Sequence, residues 1–196
     1  MVTAETMVGF GPKQAWLAIR GRDPGAVVDA LGLRDLGPTP WREGVDLAHL
    51  TDDRLAVTPP LAGAREAEWI LVAGRRLFTS ESTVEAVALS VALETEVQFF
   101  ATHRVGEQHR WVRAVDGVLV RAFDFVGETG EVTEWRGDPD DAERALGIPE
   151  AAPADADDLL VGEDDVARLA ARWSIDPTAL DGRPAPGPLH VAAAPD

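Results

Sequence analysis

Asp116-Gly117 restricts this chain more than any other feature. The pair stands between Val115 and Val118, inside an alternating run from Val97 to Trp135. Asp-Gly accepts the left-handed backbone of a two-residue hairpin loop, whose twist matches that of the strands it joins. Further turn residues at Gly106 and from Gly127 to Gly130 divide the run into a β-meander. A two-residue loop sets the pairing: Val115 faces Val118, Arg113 faces Val120, Trp111 faces Ala122 and His109 faces Asp124. These residues are expected to share one face, with Arg110, Val112, Ala114, Leu119, Arg121 and Phe123 on the other. On the preceding strand Val97, Phe99, Ala101 and His103 share a face. Symmetric closure of the Arg104–Gln108 loop would then bring His103 to His109.

Around the meander the chain reads as alternating strands and helices. Residues 14–20 (QAWLAIR) predict a strand. Asp23-Pro24 predicts a capped helix over 24–31 that stops at Gly32. The stretch 33–53, with Pro38, Pro40 and Gly44, reads as irregular. Arg54–Thr58 and Glu68–Ala73 read as strands. Ser82 with Glu85 forms a capping-box pattern before a buried helix at 82–94, whose Val84, Val87, Ala88 and Val91 recur at helical spacing. Asp138-Pro139 predicts another helix start, 148–162 reads as a Pro/Ala/Asp linker, and Val166, Leu169, Ala170 and Trp173 define a helical face. Asp176-Pro177 starts one more helical turn. The expected fold is α+β: an antiparallel sheet of about six or seven strands ending in the meander, with the helices at 24–31 and 82–94 on one face. Residues 10–181 form one domain in this reading. Residues 138–181 are an acidic helical appendage, and 1–9 and 182–196 are flexible tails.

Charge and composition narrow the function classes. The net charge is −16, and residues 124–196 hold 18 of the 34 acidic residues against 5 of the 18 basic ones. That field opposes nucleic acid and anionic membrane and favours a basic protein partner. The absence of cysteine removes disulfides, thiolate metal sites and a thiol nucleophile. With neither a signal peptide pattern nor a run of about 18 apolar residues, a cytoplasmic location is expected. Gly127-Glu128-Thr129-Gly130 lacks the lysine of a phosphate loop and is acidic, and no nucleophile elbow is present, so no cofactor is expected.

Two chemistries are open on the meander. His109 beside Asp124 could act as a general base, with the carboxylate holding its tautomer. His103, His109 and Asp124 could instead present a two-histidine, one-carboxylate face, although no metal is expected. Arg113 and Arg121, with Arg104 and Arg110 nearby and Trp111 between strands, could bind an anionic ligand. Each group also has a purely structural role available: a histidine hydrogen-bonded at a hairpin mouth, arginines paired with Glu128, Glu131 or Glu134, and a core tryptophan.

Three stretches, KQAWLAIRG (13–21), THRVGEQHRWVRAVDGVLVRAFDFVGETGE (102–131) and EDDVARLAARWSIDPTAL (163–180), together resemble a family of bacterial hypothetical proteins in which these landmarks recur in order. That resemblance implies no activity, cofactor or catalytic residue. In size and α+β make-up the nearest analogues are immunity-type proteins of bacterial toxin systems. The expected function is a non-catalytic binding or accessory protein, immunity-like, capturing a basic partner through its acidic C-terminal surface. The alternative is a small-molecule enzyme or ligand binder that uses His103, His109 and Asp124 with Arg113, Arg121 and Trp111.

Overall fold

Strand β1 (Ala15–Arg20) is buried on both faces from Ala15 to Ile19, so the sheet containing it needs a packed layer on each side. The computed structural model describes residues 5–79, 81–153 and 159–195 and shows both layers. The chain runs β1, α1 (Pro24–Ala30), β2 (Arg34–Thr39), α2 (Trp41–Leu50), β3 (Arg54–Val57), β4 (Leu61–Ala62), β5 (Glu68–Ala73) and α3 (Ser82–Ala92). The meander follows as β6 (Glu96–His103), β7 (Gln108–Val115), β8 (Val118–Val126) and β9 (Glu131–Arg136). It is succeeded by α4 (Asp141–Arg144), α5 (Glu163–Trp173) and β10 (Leu189–Ala193).

The fold is α+β, with ten strands among the described residues in one antiparallel sheet, in the order β2-β10-β3-β5-β1-β6-β7-β8-β9 and β4 beside β5. The sheet exceeds the expected six or seven strands by β2, β4 and β10, whose short or Gly/Pro/Ala-containing sequences carry little strand signal. β2 contains Gly37 and Pro38. Such residues suit an edge, where a missing N–H costs no ladder bond, and β2 is an edge. β10 lies in the expected C-terminal tail, yet it is inserted between β2 and β3 and its Leu189 and Ala192 are fully buried. The N-terminal tail is also tied down. Met7 is buried and its N–H donates to the Arg183 carbonyl, beside a Thr6–Pro184 bridge.

The helices at 24–30 and 82–92 pack on one face, as expected, over Leu17, Ile19, Val72, Val97 and Phe99. The opposite face carries Trp16, Trp69, Phe100, Trp111 and Phe123 and is covered by α2, α5 and the turn at Pro177–Leu180. The described parts of 138–181 are therefore a layer of the core and no appendage. α2 falls in the stretch read as irregular, although Trp41, Val45 and Ala48 mark its buried face at helical spacing. Asp23 caps α1 as expected, accepting from the Gly25 and Ala26 N–H groups. The capping box expected at Ser82 does not form: Glu81 is the cap residue, without a side-chain bond, and Ser82 lies inside the helix. A capping box forms instead at Asp140 with Glu143, two residues after the expected Asp138 start. Residues 154–158 of the expected linker lie outside the described residues.

Because β10 bonds to strands on both sides and Ala192 is paired with Asp35 of β2 and Leu55 of β3, Ala192→Pro removes a ladder donor from the sheet interior. We expect a loss of about 3 kcal/mol or more, read as a lower urea midpoint. The same substitution at Ala194, exposed and just beyond the strand, should cost less.

Candidate functional site

The Asp116-Gly117 turn forms as expected, with both residues at positive φ, +47° and +83°, and Val115 opposite Val118. Beyond it the register slips. Val120 is a bulge, so Arg113 faces Arg121, Trp111 faces Phe123, Arg110 faces Asp124 and His109 faces Phe125. The expected His109–Asp124 pair does not form. An extra residue in β8 reverses every later side chain, and the residue turned inward by it shows why. Arg121 is 1% exposed, and its guanidinium donates to Glu143 and to the carbonyls of Ala122, Arg136 and Gly137. It also stacks 4.2 Å from the Trp135 ring.

Two faces with different chemistry result. Under α4 and α5 lies a network built on two buried carboxylates. Glu96 accepts from Arg65, Gln98 and Arg113, while Glu143 accepts from Arg121 and from the Trp111 indole N–H. Asp140 accepts from the Trp173 indole, and the Trp173 carbonyl accepts from Arg65 and Gln98. Burial alone would raise the pKa of Glu96. The bonds from Arg65 and Gln98, together with the charge of Arg113, outweigh it and hold the group below its ordinary value. Trp111, Arg113 and Arg121, expected to bind a ligand, are here occupied in fastening helices to the sheet.

His109 is on this same face, 4% exposed, and its Nδ1 has no hydrogen-bond partner. Burial lowers its pKa, against the opposing charges of Glu163, Asp165 and Glu107. His103 is on the other face, at the mouth of the β6–β7 hairpin, where it pairs with Gln108 and meets Phe78 edge-on. A four-residue loop closed by His103 and Gln108 leaves His109 one position further along, hence on the opposite side. The two-histidine, one-carboxylate arrangement therefore does not assemble.

His103 and Asp124 do come together. Two adjoining clefts open beside α3, and Arg110 and Asp124 line both. The larger, about 800 Å³, lies between α3 and the β8–β9 edge, with Thr83, Thr133 and Glu134 on its walls. The smaller, about 360 Å³, is bounded by Phe78, Thr79, Phe99, His103 and Gln108. Arg110 Nε is 3.0 Å from Asp124 Oδ2 but forms no hydrogen bond there, so this contact is Coulombic, while Nη1 donates to the Thr79 carbonyl. Gln108 donates from Nε2 to both Asp124 carboxylate oxygens, at 2.9 and 3.0 Å. Even so, Asp124 has a raised pKa. Burial dominates and Glu134 adds to it, against Gln108, Arg110 and Thr133. A carboxyl group reluctant to ionise beside an arginine in a cleft is a marker of function. From the sequence Asp124 is expected beside His109; the bulge in β8 turns it instead to the face that already carries Arg110 and Gln108, and so supplies the pairing the sequence does not show.

Comparison with protein-family models, curated proteins and solved structures finds no match. No helix among the described residues is long and apolar enough to cross a membrane.

Arg121 and Glu143 have side chains only 2% and 1% exposed. Arg121→Met strands a buried charge and should cost about 3–5 kcal/mol. Adding Glu143→Gln should then cost much less than Glu143→Gln alone, as a double-mutant cycle by urea unfolding would show. The lowered pKa of His109 has a definite sign. The unfolded chain takes the proton more readily, so stability is complete above about pH 6.5 and declines as pH falls below it. His49, also lowered chiefly by burial, acts in the same direction. His109→Gln should flatten part of the Tm decline between pH 7 and 5.5.

Proposed function

We propose that this protein binds a small polar molecule in the clefts beside α3, with Asp124 and Arg110 as the recognition pair. The observation that supports this most is the position of that pair. It forms the floor common to two clefts, while the other buried ion pairs of the meander lie beneath helices. Arg110 offers a planar donor edge and Asp124 an acceptor or, when protonated, a donor. Phe78 and His103, edge-on to each other, give the smaller cleft an aromatic wall, which suits a ligand with a ring and hydrogen-bonding edges. Thr133, a lining hydroxyl beside Asp124, already donates to the Asp124 carbonyl, which favours binding without covalent chemistry. The lack of cysteine fits a reducing, cytoplasmic setting.

Capture of a basic protein by the acidic C-terminal third is the second reading. Exposed carboxylates at Asp141 and Glu150 favour it, although Arg144 bonds to both. Asp140 and Glu143 point inward, to Trp173 and Arg121. Deleting 138–181 would thus expose the network face as well as the acidic surface, and charge reversal at exposed positions is the cleaner test of that reading.

For the cleft, the expected outcome is a thermal shift with at least one planar polar probe, such as adenine, uracil or nicotinamide. At a hundredfold excess over Kd the gain is about 2.7 kcal/mol. Asp124→Asn should abolish the shift, and because it removes the charge beside Arg110 and one acceptor of Gln108 it should also lower the unliganded Tm, against which the variant's own shift is read. Shifts that persist in Asp124→Asn, or none with any probe, would overturn the reading.

A further inference from the structure

Helices α1 and α3 cover the same face of the sheet but leave a slot of about 360 Å³ between them. Its floor is Leu17, Leu55 and Phe99, one residue each from β1, β3 and β6, and the end of α1 forms the far wall. Along the near side runs a strip of α3, where Ser82, Glu85, Ala88 and Ala92 follow one another at helical spacing. From Ser82 to Ala92 the helix has 11 residues, about 15 Å of length. Protein interiors leave few voids larger than a water molecule. An apolar cavity of about 150 Å³ already holds a benzene ring, and this slot is larger. Phe99 is its only aromatic wall residue and the other apolar ones are leucine and alanine, so it suits a flexible aliphatic chain.

We propose that the slot binds a medium-chain aliphatic carboxylate, with its tail along α3 and its head at the start of that helix. The polar end decides the head. Ser82 lines the slot and is 1% exposed, and its Oγ has no hydrogen-bond partner. A buried hydroxyl left unpaired is costly and rare. The first turn of α3 also lacks a side-chain cap, since Glu81 makes no such bond, so its N–H groups still want an acceptor. Arg76, on the exposed rim just before the helix, makes no hydrogen bond or ion pair among the described residues. These three sets of groups are all donors, and a carboxylate offers only acceptors. Glu85 is the opposing charge on the rim. It is exposed and its Oε2 accepts from the Thr79 hydroxyl at 3.2 Å, so water and salt screen it from the head. The net charge of −16 works against any anion, and burial of the tail therefore supplies most of the affinity. Arg110 and Asp124 line no part of the slot, so the proposal stands apart from the cleft reading.

Titration calorimetry of the full chain with decanoate, kept below its micellar concentration, tests this. Binding is expected, with an affinity that rises roughly fourfold per methylene from hexanoate upward and levels off once the slot is full. Decyltrimethylammonium, the same chain on a cationic head, should bind about a tenth as tightly or less. Arg76→Gln should weaken decanoate about tenfold. Ser82→Ala should weaken it as well, yet raise the Tm of the unliganded protein, because it removes an unpaired buried hydroxyl; a merely structural serine would not give that combination. Ala92→Trp, and Ala30→Trp on the opposite wall, each fill the slot from a position that is not fully buried, and should abolish binding with an unchanged circular dichroism spectrum. Failure of every chain length to bind, or full binding by both tryptophan variants, would overturn the site. Equal affinity for the cationic head, or an affinity unchanged in both Arg76→Gln and Ser82→Ala, would overturn the carboxylate assignment. Asp124→Asn should bind decanoate as the unmodified chain does, so either proposal can fail alone.

Discussion

Glu96 and Glu143 hold the molecule's second layer in place. Each is a carboxylate with almost no exposure, and each collects donors from several elements: Glu96 from Arg65, Gln98 and Arg113, Glu143 from Arg121 and Trp111. A buried charge is tolerated only with such partners. The bulge at Val120 exists in a register that gives Glu143 its arginine, and that register decides which side chains face α3 and which face α5. The Arg110–Asp124 cleft is thus a consequence, on one face of the sheet, of an ion pair satisfied on the other.

That dependence explains what could be read from the chain and what could not. Turn chemistry is local, so Asp116-Gly117, Asp23-Pro24 and Asp176-Pro177 announced their structures correctly. So did the apolar face of α5. The bulge is not local. Nothing between Trp111 and Asp124 signals an extra residue, because its cause, Glu143, lies about twenty residues further on. An error of one residue there reversed Asp124, Phe123 and Arg121 together. β10 escaped for a related reason. A short Ala-rich strand among prolines has little propensity of its own, and its burial between β2 and β3 supplies what the local sequence lacks.

Of the residues singled out in advance, His103 and Asp124 meet in the cleft, whereas His109, Trp111, Arg113 and Arg121 belong to the opposite face. The division is chemically sensible. Arginines and an indole bonded to buried carboxylates beneath a helix hold structure, while a carboxyl whose ionisation is opposed by burial and whose surroundings include open space has capacity for a ligand.

The position of β10 also imposes an order on events in the cell. β2 and β3 are complete by residue 57, yet the strand that joins them ends at residue 193. At 5–20 residues per second, the ribosome needs roughly 7–27 s to make the intervening segment. Throughout that interval β3 presents an unpaired edge, the surface most prone to unwanted strand addition. Closure of this sheet at its β2–β3 end therefore waits for a segment made much later, and the nascent chain has a specific window in which a chaperone would matter.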